Sequence, residues 1–266
     1  MIMKANADNR LQKISLDEAK TIMLEILVEF DLICKKYNLT YWLDYGTMLG
    51  AIRHNGFIPY DDDIDIAMPR NDYEKFLKIY YKELPPHLFL QTKKYDPEFP
   101  QYYSKIRDTK TIFIEHEEEG KDIKYNQGIF IDIFPVNFID RRITFIYRFL
   151  SFLGKFLKNN RTYIKYLDMD IYKYHIFFLN KLHNQKGNLL TKGPEVDDET
   201  IFFEKKDFFP LKEIKFEKYS FPVPHNHDKY LTELYGDYMT MLPVEQREGV
   251  RHSHEIYTIQ GNSYKK

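Results

Sequence analysis

The run Ile129-Phe130-Ile131-Asp132-Ile133-Phe134 sets one carboxylate inside an otherwise apolar segment. Such β-branched and aromatic residues suit a strand buried on both faces. A charge there is costly unless it is paired or holds a cation, so this chain must fold in a way that neutralises Asp132. A second segment repeats the problem. Asp63-Ile64-Asp65-Ile66 alternates carboxylate and aliphatic, which predicts a strand over 63–68 with Ile64 and Ile66 on one face. Residues i and i+2 share a face, so Asp63 and Asp65 are expected to converge. Carboxylates that close repel each other unless a cation lies between them. Hard oxygen donors in a partly open site suit Mg²⁺, or Mn²⁺, bound with substrate phosphates. Asp63, Asp65 and Asp132 are therefore the candidate catalytic residues and metal ligands, with Asp132 brought alongside by an adjacent strand.

A third segment, Tyr45-Gly46-Thr47, precedes these two. The aromatic and β-branched run 40–45 predicts a strand, and Gly46 permits close backbone approach where it ends. Thr47 is expected to open a short helix ending near Gly56, whose free N–H groups and positive dipole end suit a phosphate. A lone Asp-x-Asp is a weak signal, and the glycine and distant glutamate of a calcium-binding EF-hand loop are missing. The order hG[ST], [DE]h[DE]h, h[DE]h (h, hydrophobic) is far more specific and is the signature order of the nucleotidyltransferase superfamily. Cations to cover phosphate charge are sought at Arg53, at Lys105 and Arg107, which share a strand face by period 2, and at Arg247. His54, His252 and His254 are weaker candidates.

The frame around these segments is read from periodicity. Ser15-x-x-Glu18 is a capping box, and apolar residues from Leu16 to Tyr37 recur at helical spacing until Asn38. Asn71-x-x-Glu74 is expected to cap a helix running to about Leu84. Further strands are expected at 88–95, 102–107, 111–115 and 128–134, the last closed by Pro135. The acidic loop 115–127 reads as solvated surface. Residues 207–223 predict a hairpin, followed by a helix over 228–234. The 266 residues, 43% hydrophobic and 30% charged, suit a soluble globular protein. A net charge of −1 points to no nucleic-acid partner, and the single Cys34 excludes a disulfide framework. Cys34 and the one tryptophan, Trp42, are expected to be buried. The first ten residues show no secretory signal and no segment is apolar enough to cross a bilayer, so the cytoplasm is the expected location. Residues 141–192 hold eleven Lys or Arg against two Asp, with many aromatics, and predict two or three helices.

The segment DYGTMLGAIRHNGFIPYDDDIDIAMPRNDYEKFL closely resembles the hallmark block of the LicD family, GIFIDIFPV its second block, and FPVPHNHDKYLTELYGDYMTMLPVEQR its C-terminal block. The likeness covers about 20–138 and 201–254. Tyr60 stands where many members have Trp, and Arg247 is followed by Arg251-His252-Ser253-His254 where the family block often ends in a histidine pair. The resemblance implies an α+β, nucleotidyltransferase-like (polymerase-β-type) fold. It describes a mixed sheet flanked by helices in one catalytic domain over 1–266; the likeness does not extend to 139–200, whose composition predicts a helical, basic, aromatic insertion within that domain. It implies transfer of a phosphoalcohol, phosphocholine first, from a CDP-alcohol donor. The acceptor would be a hydroxyl of a glycan or lipid-linked glycan, such as a lipopolysaccharide, teichoic acid or capsule precursor. Relatives, including the fukutin group, move ribitol phosphate or similar groups. Asp63 and Asp65 would bind Mg²⁺ or Mn²⁺, and Asp132 would complete the site or activate the acceptor. Gly46, Thr47, Arg53, Lys105, Arg107, Arg247 and His252 would contact substrate. Adding NMP to a small molecule is the competing chemistry. A lipid-linked acceptor would place the enzyme peripherally at the inner face of the cytoplasmic membrane, through 141–192.

Overall fold

The computed structural model describes residues 10–159, 171–196, 201–247, 249 and 251–260. After a short strand β1 (Leu11–Lys13) comes the long helix α1 (Leu16–Tyr37). Its capping box forms as the sequence implies: the Ser15 N–H donates to Glu18 at 2.7 Å and the Glu18 N–H to Ser15 Oγ at 3.2 Å. Asn38 ends it in the left-handed region, φ 51°. The stripe Ala19, Met23, Ile26, Leu27, Phe30 and Ile33 is buried, as is Cys34.

Strand β2 (Trp42–Leu43), helix α2 (Tyr45–His54), strand β3 (Asp65–Pro69) and helix α3 (Arg70–Glu83) follow. The strand expected at 40–45 shrinks to two residues because β2 meets only Ile66 and Ala67 of β3, and Tyr45, at φ 38°, has already turned into the helix. Strand β3 begins at Asp65, so Asp63 lies in the preceding loop and not two positions along one strand. Asn71 does not cap α3: the helix starts straight after Pro69, without a side-chain cap.

Strands β4 (Leu88–Gln91), β5 (Ser104–Asp108), β6 (Thr111–Glu115) and β7 (Phe130–Ile139) complete the first half. The central sheet runs β2-β3-β7-β5-β4. Only β3 and β7 are parallel; the other pairs are antiparallel. Pro135 does not end β7. On one edge β7 pairs with β5 through Ile133, then with β8 (Leu189–Lys192) from Val136 onward. The proline sits in the gap between these two neighbours, where a missing N–H costs no ladder bond. Segment 139–200 is therefore only partly helical. Helices α4 (Thr144–Asn159) and α5 (Ile171–Asn180) precede β8, which joins the central sheet.

Strand β9 (Phe203–Glu204) pairs antiparallel with β8, and a short helix α6 (Lys205–Phe208) leads to the hairpin β10 (Lys212–Phe216) and β11 (Tyr219–Val223). The hairpin starts later than expected because 205–208 is helical. Helix α7 (His227–Tyr235), one turn α8 (Val244–Arg247) and strand β12 (Ser253–Ile259) close the chain. Strand β12 pairs with β1 and β6 in a second sheet. The acidic loop is not all solvated: buried Glu118 accepts from Tyr125 Oη at 2.6 Å and Gln127 Nε2 at 2.8 Å. Trp42 is buried edge-on against Phe208. The α+β class, a mixed sheet flanked by helices, is what the chain adopts.

Candidate active site

The parallel pairing of β3 with β7 sets Asp65 directly opposite Asp132, which is how two carboxylates far apart in sequence come together. The Asp132 N–H donates to Ile64 O at 2.7 Å, and the Asp65 N–H to Thr47 Oγ1 at 2.8 Å. The Thr47 hydroxyl is thus committed to fixing Asp65, and its side chain is buried. Across β7 from β3, Lys105 pairs with Asp132 in register and reaches Oδ1 at 3.1 Å. Its ammonium lies 3.4 Å from the Phe130 ring centroid. Lys105 therefore balances Asp132. Arg107 is sealed inside, donating to Gln91 and to Gly128 O at 2.8 Å; it holds the sheet together and lies away from the cleft.

The triplet before β3 divides its labour. Asp62, fully buried, accepts the N–H groups of His252 at 2.9 Å and Ser253 at 2.6 Å, clamping the start of β12 beside the acidic loop. Asp63 faces the His252 ring, Nε2 to Oδ2 3.4 Å. Asp61 turns back onto the first turn of α2: a Cβ on Gly46 would lie 2.8 Å from Asp61 Oδ2. A side chain at position 46 would therefore have to displace the Asp61 carboxylate. The first turn of α2 carries the N–H groups of Tyr45, Gly46 and Thr47 ahead of the first helical bond, from the Met48 N–H to Asp44 O.

Four carboxylates, Asp61, Asp63, Asp65 and Asp132, now share one low-dielectric corner. Burial raises all of them. Asp65 is pushed well above the usual range by burial and then by Asp63 and Asp132. Asp61 rises to about 8 through burial and its neighbours Asp63 and Asp62. Asp132 rises to about 6 through burial, with Lys105 pulling it back. Asp63 rises through burial against the pull of His252 and Lys105. Among the described residues no three His, Cys, Asp or Glu side chains form a ready-made metal shell. The donor chemistry nevertheless fits a hard divalent cation: four carboxylates meet here and, among the described residues, Lys105 is the one ammonium paired with them, through Asp132.

Asp61, Asp63 and Asp65 line a cleft of about 430 Å³, and Asp132 stands beside Asp65 on the neighbouring strand. Gly46, Leu49 and Arg53 of α2 line one wall; Tyr60, Tyr235, Tyr238, Leu242 and His252 line the rest. Arg53 donates to Tyr238 O at 2.8 Å, bracing the C-terminal segment against α2. Arg247 donates to Leu242 O at 2.9 Å, and its guanidinium stands 5.4 Å from the Tyr60 ring. The structure thus brings Gly46, Arg53 and His252 to the cleft, sets Arg247 behind Tyr60, and keeps Thr47 and Arg107 out of contact with it. His254 faces Glu119 at 3.5 Å.

Sequence reasoning passed over Asp61, Asp62 and the pair Asp44–Lys192. Asp44 is buried just before α2, accepts from Tyr230 Oη at 2.5 Å and forms an ion pair with Lys192 of β8. The only sequence signal was an aspartate in the helix N-cap position; its partners lie 148 and 186 positions on.

The sequence profile described as LicD/FKTN/FKRP, nucleotidyltransferase domain, matches residues 38–156. Over that span the chain is similar to the LicD family. It is similar along 94% of its length to the whole of the lipopolysaccharide cholinephosphotransferase LicD of Haemophilus influenzae, with 28% identity. An uncharacterized protein of Rickettsia prowazekii is 30% identical over 50% of this chain and 47% of its own length. One from Rickettsia typhi is 26% identical over 78% of this chain and 66% of its own. The span matched to the LicD profile carries the acidic triplet, Asp65, Asp132 and Lys105, while Lys192, Arg247 and His252 lie beyond it.

Proposed function

We propose that this chain is a LicD-type phosphotransferase that moves phosphocholine from CDP-choline to a hydroxyl of a glycan, with Mg²⁺ or Mn²⁺ held by Asp63, Asp65 and Asp132. The observation that carries this reading is the mixed lining of the cleft. Carboxylates that would hold a cation, Asp61, Asp63 and Asp65, share it with the rings of Tyr60, Tyr235 and Tyr238. Aromatic faces attract a quaternary ammonium, which is the head of choline. The name of the Haemophilus relative, a lipopolysaccharide cholinephosphotransferase similar over its full length, supports the same transferred group. Adjacent parallel strands bearing the carboxylates, with a glycine-led helix beside them, support a nucleotidyltransferase-like arrangement.

Phosphoryl transfer asks the protein mainly for positioning and charge neutralisation. The N-terminal turn of α2 and the bound cation would receive the diphosphate. The acceptor oxygen attacks the distal phosphorus in line; the new O–P bond forms as the bond to the bridging oxygen breaks, and CMP leaves. The hydroxyl proton passes to a base, and Asp132 would take that role where it does not complete the shell of the cation. The cation would neutralise charge on the phosphates during transfer. His252 stands exposed beside Asp63, where it would hydrogen-bond to a phosphate oxygen.

The test is CMP release from CDP-choline, CDP-ethanolamine, CDP-glycerol and CDP-ribitol, with a glycan acceptor and product analysis. CMP release fastest from CDP-choline, abolished by EDTA, is the expected result. Faster release from CDP-glycerol or CDP-ribitol overturns the choice of donor. A product carrying the nucleotide itself overturns phosphoalcohol transfer in favour of nucleotidyl transfer.

A further inference from the structure

Helices α4 and α5 pack together through a close crossing, where a Cβ on Gly154 would come within 2.1 Å of the His175 ring. Their inner faces build a small second core of Tyr147 and Leu179 with Ile139 and Leu189. The outer face of α4 carries Phe145, Ile146, Phe149, Phe152, Leu153 and Phe156, the three-and-four spacing of one continuous stripe. Phe145 is 80% exposed, Phe152 66% and Phe149 58%. Tyr174, Phe177 and Phe178 of α5 extend the patch. Every strongly exposed phenylalanine among the described residues lies on these two helices. Isolated exposed apolar residues are ordinary; a contiguous aromatic patch marks a contact surface.

The charge around the patch selects the partner. Residues 141–159 and 171–186 contain no Asp or Glu but carry Arg141, Arg142, Arg148, Lys155, Lys158, Lys173, Lys181 and Lys186. Arg148, Lys173 and Lys181 are exposed at the margin of the stripe. Two copies of this face set together would oppose cation to cation. An anionic bilayer surface offers hydrocarbon for the rings and negative headgroups for the basic margin. The 16 residues of α4 span about 24 Å, short of the roughly 30 Å hydrocarbon core. No helix among the described residues is long and apolar enough to cross a membrane. We infer that α4 and α5 form an interfacial platform that lies flat on a membrane rich in anionic lipid, with the α4 phenylalanines inserted among the acyl chains.

The platform leaves the cleft open. Strand β7 carries Asp132 near its start and Ile139 at its end, so the acidic centre stands about 23 Å along the strand from the platform. The inference rests on the surface alone and holds whichever group the cleft transfers.

The experiment is flotation of the full chain with vesicles of phosphatidylcholine alone or mixed with phosphatidylglycerol. The chain should float with anionic vesicles at low salt, stay down with neutral ones and be released by high salt. The double variant Phe149→Glu with Phe152→Glu should lose flotation and keep its thermal midpoint, because both rings are exposed. Arg148→Glu with Lys173→Glu should weaken binding at least about tenfold, which keeps the test decisive if the phenylalanine variant folds poorly. No flotation with anionic vesicles at low salt overturns the inference, as does equal binding to neutral vesicles, or binding that both double variants leave intact. Self-association in light scattering that the phenylalanine substitutions abolish would assign the face to a second copy and overturn it too.

Discussion

Replacing Asp61 by asparagine should make the cation-free protein more stable. Asp61 is buried against Gly46, with Asp62 and Asp63 beside it and a pKa raised from the ordinary 3.8 to about 8. A group held above its unfolded pKa supports the fold fully below pH 4 and loses that support as pH rises towards 8. At pH 7 the carboxyl must keep a proton that the unfolded chain has shed, at about 1.36 kcal/mol per pH unit, or about 4 kcal/mol. Asparagine has the same shape and no charge, so Asp61→Asn removes this burden. For a chain of this size 4 kcal/mol corresponds to about 10 °C in Tm. Urea unfolding of both proteins in EDTA, from pH 4.5 to 8, would measure it. The variant should gain stability on the parent steadily with pH. Adding Mg²⁺ should close the gap from the other side, because a cation relieves the same repulsion; ligand at a hundred times Kd contributes about 2.7 kcal/mol. Equal stability at pH 8 in EDTA, or a difference that does not vary with pH, would refute the reasoning that these carboxylates are electrostatically frustrated.

Asp63→Asn, Asp65→Asn and Asp132→Asn should each reduce CMP release by at least about a hundredfold while circular dichroism stays native, since each removes charge needed at the transition state; a near-normal rate for Asp65→Asn would remove it from the chemistry. Gly46→Ala places a Cβ 2.8 Å from Asp61 Oδ2 and should cost about 1–3 kcal/mol in urea unfolding, with activity falling because Asp61 and the α2 turn must separate. Glu195→Gln leaves the buried Arg70 guanidinium without the carboxylate that receives it at 2.7 and 2.8 Å, at about 3–5 kcal/mol; Arg70→Met with Glu195→Leu should recover most of that in a double-mutant cycle, and simple additivity would count against the pair. His183, lowered to about 4 by burial and by Arg70, is held neutral by the fold, so stability should fall as pH drops from about 6.5 towards 4, and His183→Gln should flatten that slope in thermal unfolding.

Local chemistry wrote much of this structure into the sequence. Ser15 and Glu18 cap α1 because both partners lie three residues apart, and Asn38 ends it because asparagine tolerates the left-handed region. The carboxylate in IFIDIF announced a buried charge needing a partner. The errors fell where a remote neighbour decides. Pro135 continues a strand because β5 leaves off before it and β8 takes up after it. Arg107 shares a strand face with Lys105, yet Gln91 and Gly128 enclose it.

By itself, then, the sequence determined both ends of α1 and the buried hydrophobic segments, and it singled out Asp63, Asp65 and Asp132 but not Asp61, because it speaks through residues within a few positions of one another. Which carboxylates face which groups was decided only by tertiary structure. The parallel β3–β7 register sets Asp65 against Asp132, Lys105 balances Asp132 from the opposite strand, and Asp62 anchors β12 from 190 residues away. Charges act through space over a few ångströms, and the spacing of letters along a chain does not record those distances.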